Sequence, residues 1–532
     1  MTDTIAPYRY EIAPGRDGFA PLVHAEWTKF RTVRGWVIGC LAAVLLIVLL
    51  AILTGSGSHT ETCVNGKCRT GGDVPTTGPG GQPVTDRFYF VHQPLAGAGS
   101  ITVRVTSLTG EILPGGGVAA AAGSSGGSNP PPGAVSAVQP WAKAGVIVKE
   151  STQPGSPYAA VMVTGSHGVR MQDNFTHDRA GRSGAVSATS PRWLRLTRSG
   201  STLTGYESSD GVTWTKVGTV RLSGLSSTVQ VGMFVASPPY EQFSQHLGGG
   251  SGSQAFTIAG GTFDRVSVQG GAVGTWSGSQ IEQGDLPPPA VGKFQQAGDT
   301  FTVSGAGDIA PVVGNRTGTI ERTLVGAFAG LIVLIVLAGQ FIAGEYRRGL
   351  IRTTLAASPR RARVLAAKAL VIGTVAFAVG LLGAAIAVPL GERILRSNGN
   401  FIYPVSSLTG LRVIAGTAAV LAVGCVLALA LGTILRRSTT AVTAVVVVMV
   451  LPYILSVSAV LPAGIAQWLL RLTPAAGFAI QQSTPAYSQV AAQYTPINGY
   501  FPLSPWVGFA VLCAWAAAAA ALAAVLLRRR DA

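Results

Sequence analysis

The chain has 532 residues, 48% of them hydrophobic and only 12% charged, with a mean hydropathy of +0.40. That balance is too apolar for an ordinary water-soluble protein and places the chain in the membrane class. Its net charge of +16 does not indicate nucleic acid, because the arginines flank apolar runs instead of gathering on one folded face with groove-reading elements.

Residues 1–18 are polar and irregular and read as a loose tail. From there Phe19, Leu22, Val23, Trp27, Phe30 and Val33 recur at helical spacing, while His24, Thr28, Arg31 and Thr32 fall elsewhere. This predicts an amphipathic helix at a membrane surface. Glu26 falls on the apolar stripe, where an unpaired carboxylate is costly. Two readings are open: a pair with Lys29 of the same helix, or a contact to another part of the protein or to a partner. Residues 36–53 are uninterruptedly apolar, enough to cross a hydrocarbon core of about 30 Å at about 1.5 Å per residue with modest thinning. The run exceeds the apolar region of a signal peptide and lacks an A-x-A-like cleavage site, so it reads as an uncleaved span.

After Thr54 the composition turns to Gly, Ser, Thr, Pro and β-formers until about Thr323, which predicts a large water-soluble insertion. At its start CVNGKC sets an Asn-Gly turn between Cys63 and Cys68, a geometry suited to a hairpin closed by a disulfide in an oxidising compartment. Zinc is disfavoured, since no second Cys or His pair lies at ligand spacing. Cys40, Cys425 and Cys513 lie in apolar runs and read as small core residues. Strand-like runs recur at 88–92, 101–106, 144–149, 158–164, 193–197, 203–207, 214–220, 229–235 and 263–268, with turns such as Ser209-Asp210-Gly211 between them. That pattern predicts an antiparallel sandwich or jelly roll. The low-complexity stretches 114–133 and 248–253 read as flexible excursions, and FTVSGAGDIAP after the three prolines 287–289 as a further β-element.

Three of these segments, WAKAGVIVKE, WLRLTRSGSTLTGYESSDGVTWTKVG and VGMFVAS, together resemble the concanavalin-like jelly-roll domain of the DUF1349 type over most of 86–268. The resemblance implies a β-sandwich associated with carbohydrate-related proteins, hence a glycan as an extracellular partner, and implies no enzyme. Glucanase jelly rolls supply two carboxylates on one strand as E-x-D-x-x-E, and 54–323 holds no such cluster. Asp210 is explained by its turn. Trp141, Trp193, Trp214, Tyr158 and Tyr206 have the chemistry to stack on sugars, but sandwich core accounts for most of them.

Five more apolar runs follow at 324–343, 364–390, 411–435, 440–461 and 506–527, making six spans with 36–53. Several are rich in Gly and Ala, which lets helices approach closely, and Pro452 predicts a kink in the fifth. Lys29, Arg31 and Arg34, then Arg347, Arg348, Arg352, Arg360, Arg361 and Arg363, then Arg436 and Arg437, then Arg528, Arg529 and Arg530 fall on one side. The short loops of the other side hold Arg393, Arg396, Arg412 and Arg471. By the positive-inside rule both termini are cytoplasmic and residues 55–322 lie outside the cell membrane. The connection 462–505 is too short and interrupted to span and reads as a re-entrant or interfacial pair of helices broken at Pro474. The spans hold almost no ionisable residues, so no ion or proton relay is expected.

Between the second and third spans runs EYRRGLIRTTLAASPRRARVLAAK, 345–368. Ser358-Pro359 predicts a helix start, Ser as N-cap and Pro as first helical residue. Arg360, Arg361 and Arg363 then sit where the helix dipole disfavours cations by about 0.3–1 kcal/mol each. The positive-inside rule accounts for them; an anionic or acidic partner is the alternative.

HAEWTKFRTVRGW before the first span, GEYRRGLIRTTLAASPRRARVLAAK after the second and the closing span ending in LLRRRDA resemble the permease subunit of an ABC-2 type exporter of actinobacterial style. The resemblance implies that Glu26, Trp27, Lys29 and Arg31 belong to an elbow helix at the inner face. It implies that Glu345, Tyr346, Arg347, Arg348, Gly349, Leu355, Ser358, Pro359, Arg360 and Arg361 belong to the coupling segment that receives a cytoplasmic ABC ATPase. No G-x-x-x-x-G-K-[ST] loop occurs, so the chain carries no cofactor of its own and ATP belongs to the partner subunit. A working channel would take two permease subunits, as a homodimer or heterodimer, in contact with membrane lipid. The long insertion departs from the family's short connection.

The expected architecture is a polytopic α-helical membrane protein of six transmembrane helices with a large extracytoplasmic antiparallel β-sandwich (jelly-roll) insertion. Its domains are a tail (1–18), elbow and first span (19–54), β-sandwich (55–286), small β-element and linker (287–322) and the remaining spans (323–532). The alternative is a membrane-anchored glycan-binding or sensing protein without transport.

Overall fold

A computed structural model describes residues 18–59, 61–64, 67–70, 75–113, 135–246, 249–272, 274–284, 286, 290–313, 318–347, 349, 360–458, 460–494, 496 and 499–529; side chains of 61–64, 67–70, 241–254, 272, 347 and 491–493 fall outside that description. The surface helix α1 (Phe19–Thr32) and the first span α2 (Arg34–Ser56) are separated by one extended residue, Val33 (φ −87°, ψ 101°), so the chain turns sharply between them. After the β-rich insertion come a 3-10 turn at Ile320–Leu324, α3 (Gly326–Arg347), α4 (Arg361–Ser397) and α5 (Ser407–Leu435). Then follow α6 (Ser438–Met449), α7 (Leu451–Val457), α8 (Ala463–Leu472) and α9 (Pro505–Arg529).

Among the described residues six helical segments are long and apolar enough to cross a membrane: α2, α3 with its preceding turn, α4, α5, the α6–α7 pair and α9. These are the six predicted runs. The helix breaks between Met449 and Leu451, where Pro452 opens α7 and cannot supply an N–H to the ladder. Small residues set the packing. A Cβ on Gly326 would come within 2.5 Å of the Ile47 carbonyl oxygen, so α3 lies against α2 almost backbone to backbone. The interrupted connection is visible too: the ten-residue α8 is followed by a 3-10 turn, Pro474–Gln481, in which every residue is buried.

The insertion opens with a hairpin, β1 (Glu61–Val64) and β2 (Lys67–Thr70), that sets Cys63 opposite Cys68 in register. Their side chains, and so the expected disulfide, lie outside the described residues; Cys40, Cys425 and Cys513 are free. Next come β3 (Val84–Asp86), β4 (Phe88–Ile112), β5 (Val135–Ser136), β6 (Lys143–Lys149), β7 (Tyr158–Thr164), β8 (Val169–Asp173) and β9 (His177–Ala180). They are followed by β10 (Arg192–Ser199), β11 (Thr202–Ser208), β12 (Thr215–Arg221), β13 (Thr228–Ala236), β14 (Tyr240–His246), β15 (Gly249–Ala255) and β16 (Thr257–Ala272). β17 (Ser277–Ile281), β18 (Lys293–Ala297), β19 (Thr300–Gly305) and β20 (Ile309–Pro311) complete the set.

Fourteen strands join in one antiparallel sheet with the central order β12-β11-β10-β4-β13-β6-β7-β8-β9. The two runs expected at 88–92 and 101–106 are one strand, β4, which pairs with β13 through its first half and β10 through its second. Gly97 between the halves has φ +68°, a conformation that favours glycine, and lets one strand serve both layers. β10 to β12 consequently pack face to face on β6 to β8, closing a sandwich over Val103, Val146, Val161, Leu194, Leu196 and Val231. Of the Gly/Ser stretch expected to be a flexible excursion at 248–253, residues 249–253 belong to β15, paired with β14, because regular backbone pairing needs no large side chains. The expected excursion at 114–133 lies outside the described residues.

β6 and β7 are buried along their whole length, so their second face must also be covered. The cover includes β3 and β20, the segments by which the chain arrives at the sandwich and leaves it, paired to each other. Two lysines of β6 hold them. Lys149 Nζ donates to Asp86 Oδ2 at 2.7 Å, and Lys143 forms an ion pair with Asp308; both lysine side chains have no exposed surface. Burial pushes the Asp86 carboxyl up and the Lys149 ammonium down, each opposed by the other's charge. The Gly155 amide adds a second donor to Asp86 at 2.7 Å.

The same end of the sandwich meets the helices. Asn398 Nδ2 donates to the Gly55 carbonyl at 2.9 Å and Asn400 Nδ2 to that of Ser58 at 2.7 Å, joining the ends of α2 and α4. Gln489 Nε2 donates to the Phe175 carbonyl at 2.8 Å and Ser488 Oγ to Asp178 at 3.1 Å, joining the connection before α9 to the β-layer.

Replacing Lys149 by Ala strands the Asp86 carboxylate in a buried site. A loss of about 3–5 kcal/mol of stability is expected, read as earlier thermal unfolding and faster proteolysis of the β-domain in the purified full chain.

Candidate functional site

Opposite charges gather among packed helices at the base of α1. Helix α1 buries only Glu26 and Phe30, one turn apart on a single face. Phe30 stacks on Trp36 of α2 (centroids 5.5 Å apart) and meets Phe341 of α3 edge-on at 6.0 Å, which holds the surface helix against the bundle. The same contact carries Glu26 to Lys368, two turns inside α4.

Lys368 has no exposed surface. Its Nζ donates to Glu26 Oε2 and to Glu345 Oε1, both at 2.7 Å, and lies 4.8 Å from the centre of the Phe341 ring. Lys29 closes the ring from the rim, donating to Glu26 Oε1 at 3.0 Å and Glu345 Oε1 at 3.1 Å, its side chain 43% exposed. Burial alone would lower the Lys29 pKa, but the bonds and charges of Glu26 and Glu345 hold it above the ordinary lysine value. Two ammonium groups and two carboxylates thus form a closed, electrically neutral ring built from α1, the last turn of α3 and the first turns of α4.

Both readings of Glu26 are realised at once: it pairs with Lys29 and with a distant element. Trp27 is exposed beside the buried face of α1, and Arg31 is exposed in its last turn. Glu345 is in the ring. Tyr346 follows it, half-buried, with the Arg436 guanidinium 5.6 Å from its ring centre. Gly349 takes φ +67° just past the end of α3, its N–H on the Tyr346 carbonyl at 3.3 Å, as a helix-terminating glycine does. The Arg347 side chain, Arg348, Leu355, Ser358 and Pro359 lie outside the described residues. The fourth helix starts at Arg361 with Arg360 as its N-cap residue, two positions later than the Ser358-Pro359 signal places it; Arg360 is non-helical (φ −82°, ψ 74°). Arg360 is exposed, while Arg361 Nη1 donates to the Leu527 carbonyl at 2.7 Å, capping the C-terminus of α9.

Residues 186–532 match the model of the ABC-2 family transporter protein. The chain belongs to that family. The match takes in α3 to α9 and part of the sandwich, and membership of this permease family implies an ATPase partner in general. No curated protein matches. Among solved structures, a functionally unknown protein from Saccharomyces cerevisiae is 18% identical over 34% of this chain and 74% of its own length, with a TM-score of 0.20. Scytalido-glutamic peptidase bound to a peptide-based transition state analog is 11% identical over 43% of this chain and 100% of its own, with a TM-score of 0.23.

Lys368, the hub of the ABC-2 chain's charge ring, was not singled out by its sequence. The available signal was a lone lysine inside an apolar run, on the same chain as a carboxylate in need of a partner. Four of the five aromatics considered for sugar stacking are engaged by protein. Tyr158 is buried, Trp141 lies flat on His167 at 4.0 Å, Arg195 sits 3.8 Å over Trp214, and the Gly211 turn rests on Trp193.

Lys368→Met leaves two buried carboxylates facing each other with only the partly exposed Lys29 between them and is expected to cost about 3–5 kcal/mol. Because Glu26 and Lys368 act as a unit, the double variant E26Q/K368M should lose less than the sum of the single losses by about 0.5–3 kcal/mol. Thermal unfolding of the four proteins in detergent measures the cycle; additive losses would show that the ring is not a unit.

Proposed function

We propose that this ABC-2 family chain is the membrane-spanning subunit of an exporter, and that a separate cytoplasmic ATPase drives it by docking on the face made by α1 and the segment between α3 and α4. The observation that carries this reading is the charge ring. The segment that would receive the ATPase is tethered at both ends to ring members, Glu345 before it and Lys368 after it. Glu26 and Lys29 join the elbow to the same unit. A push on the segment is therefore shared by three elements, one of them α4, which runs through the bundle.

The side assignment follows from charge: the arginine-rich ends of α3, α4, α5 and α9 share the face of α1. On this reading both termini are cytoplasmic and the sandwich lies outside. The register of β1 and β2 supports a Cys63–Cys68 disulfide there, since directly opposed residues of a two-stranded hairpin lie about 4.5–5.5 Å apart at Cα, within disulfide range. The lectin-like assignment of the sandwich rests on its sequence segments alone. Two copies of the chain would complete the pathway.

An ATP-hydrolysing protein should co-purify with the full chain in mild detergent. Arg360→Glu should abolish stimulation of that ATPase while leaving membrane insertion intact; Arg360 is the cleaner position, because Arg361 also caps α9. Undiminished stimulation would remove Arg360 from the docking face. Separately, Cys63→Ser should expose Cys68 to an impermeant thiol reagent on intact cells; labelling of the unmodified protein would show that no disulfide forms.

A further inference from the structure

The ring explains Lys29 and Lys368 but leaves another basic group unused. Where α4 begins and α9 ends, a cleft of about 550 Å³ is lined by Arg360, Arg361, Ala362, Arg363 and Arg528. Among the described residues no carboxylate lines it. Among the described residues Arg360, Arg363 and Arg528 make no ion pair, and the bond from Arg361 to the Leu527 carbonyl ties the two helix ends together. Three of these arginines belong to the start of α4, where the helix dipole adds positive potential to theirs. Such a site is strongly favourable for a phosphate, which a guanidinium can bind with two parallel hydrogen bonds.

We propose that this cleft binds the phosphate-bearing headgroup of an anionic membrane lipid, with the lipid's tails lying along α4 and α9. The choice of a lipid rests on what lies beneath the arginines. Arg363, Ala366 and Leu370 follow one another on one face of α4, and Ala366 and Leu370 are exposed, Leu370 by 49%. Below Arg528 on α9, Val525 and Leu522 are exposed by 45% and 50%. Each arm of the basic cleft thus continues into an outward apolar stripe of a membrane-crossing helix. A ligand with an acidic head and apolar tails uses both parts, whereas a soluble phosphate or an acidic partner helix uses only the head. Basic pockets between helix ends at a membrane surface are suited to such headgroups. The inference needs only that α4 and α9 cross a membrane; it does not depend on which side is cytoplasmic or on the ATPase docking proposed above.

The test is native mass spectrometry of the detergent-purified full chain, titrated with phosphatidylglycerol and, separately, phosphatidylcholine. The unmodified protein should retain phosphatidylglycerol about tenfold more tightly. R363Q/R528Q should weaken phosphatidylglycerol by roughly tenfold to thirtyfold, the effect of two surface charges, and leave phosphatidylcholine unchanged. L370Q/V525Q should weaken phosphatidylglycerol without altering any effect of inorganic phosphate. Should the double arginine variant fail to fold, R528Q alone, at an exposed helix end, is expected to lose about threefold to tenfold. Equal retention by the variants overturns the proposal. So does displacement of the lipid by inorganic phosphate at equal concentration, which marks a soluble-anion site. Protection of Arg363 and Arg528 from phenylglyoxal by the co-purified ATPase in lipid-free detergent, with no protection by phosphatidylglycerol, marks a protein-docking site and overturns it as well.

Discussion

A lysine ammonium with no exposed surface is the constraint on which the packing of α1, α3 and α4 turns. Removing such a charge from water costs several kcal/mol even after relaxation, and only well-placed countercharges offset it. Lys368 finds two, at 2.7 Å each, and neither comes from its own helix. Glu26 arrives on a surface helix that would otherwise have little to hold it, and Glu345 arrives on the last turn of α3. The positions of the three elements are therefore mutually conditional: displacing any one takes a countercharge away from a buried partner. Lys29 at the rim adds less, being partly in water, but it neutralises the second carboxylate charge and closes the ring.

The same device recurs in the sandwich. Lys143 and Lys149 are three pleat repeats apart on the fully buried β6; Lys149 reaches Asp86 of β3, and Lys143 reaches Asp308, the residue before β20, at the short ribbon these two strands form. That ribbon is where the chain passes between helices and sheet. Hydrophobic cover alone would let it slide, because a three-residue pairing has little register of its own. A buried lysine that accepts only one position of its partner fixes it. In both halves of the molecule, then, apolar packing forms the layers and a few buried ion pairs decide how the layers are joined.

This division also describes what could be read from the sequence. The spans were legible, because a bilayer demands long apolar runs and punctuates them with arginine, and each of 36–53, 324–343, 364–390, 411–435, 440–461 and 506–527 has its helix. Strands with alternating or wholly apolar character were legible as well, 158–164 to the residue. Legibility failed where a strand's character is set by its partners. β8, β9 and the Gly/Ser-rich β15 carry no strong period, and β4 looked like two strands because Gly97 interrupts it. The site was half-legible. Glu26 announced itself as a charge on an apolar stripe and Glu345 sat in a recognisable segment, but Lys368 is 342 residues from Glu26, and only the fold brings them together. The disagreement over where α4 starts has a local cause: Arg360 stands outside helical geometry, so the helical ladder begins one residue beyond it.

The helix that joins the two ends of the molecule is α4. Its 37 residues span roughly 55 Å at 1.5 Å per residue, well beyond the hydrocarbon core, so it projects from both faces of the bundle. At one end it carries Lys368 and the basic cleft; just past the other, Asn398 and Asn400 grip the end of α2 beneath the sandwich. Between them the Ala and Gly positions 376, 380, 383, 384 and 387 are buried and closely packed, which makes that stretch stiff. Pro389 is the exception: with no N–H to give, it removes one rung of the ladder toward the Asn398 end. A displacement delivered at the ring would travel along a stiff segment and find its softest point there, about two and a half turns short of the contacts to the end of α2. The order of stiff rod, weak rung and clamp makes the end of α2, where the chain leaves for the sandwich, the place where a motion begun at the ring would emerge.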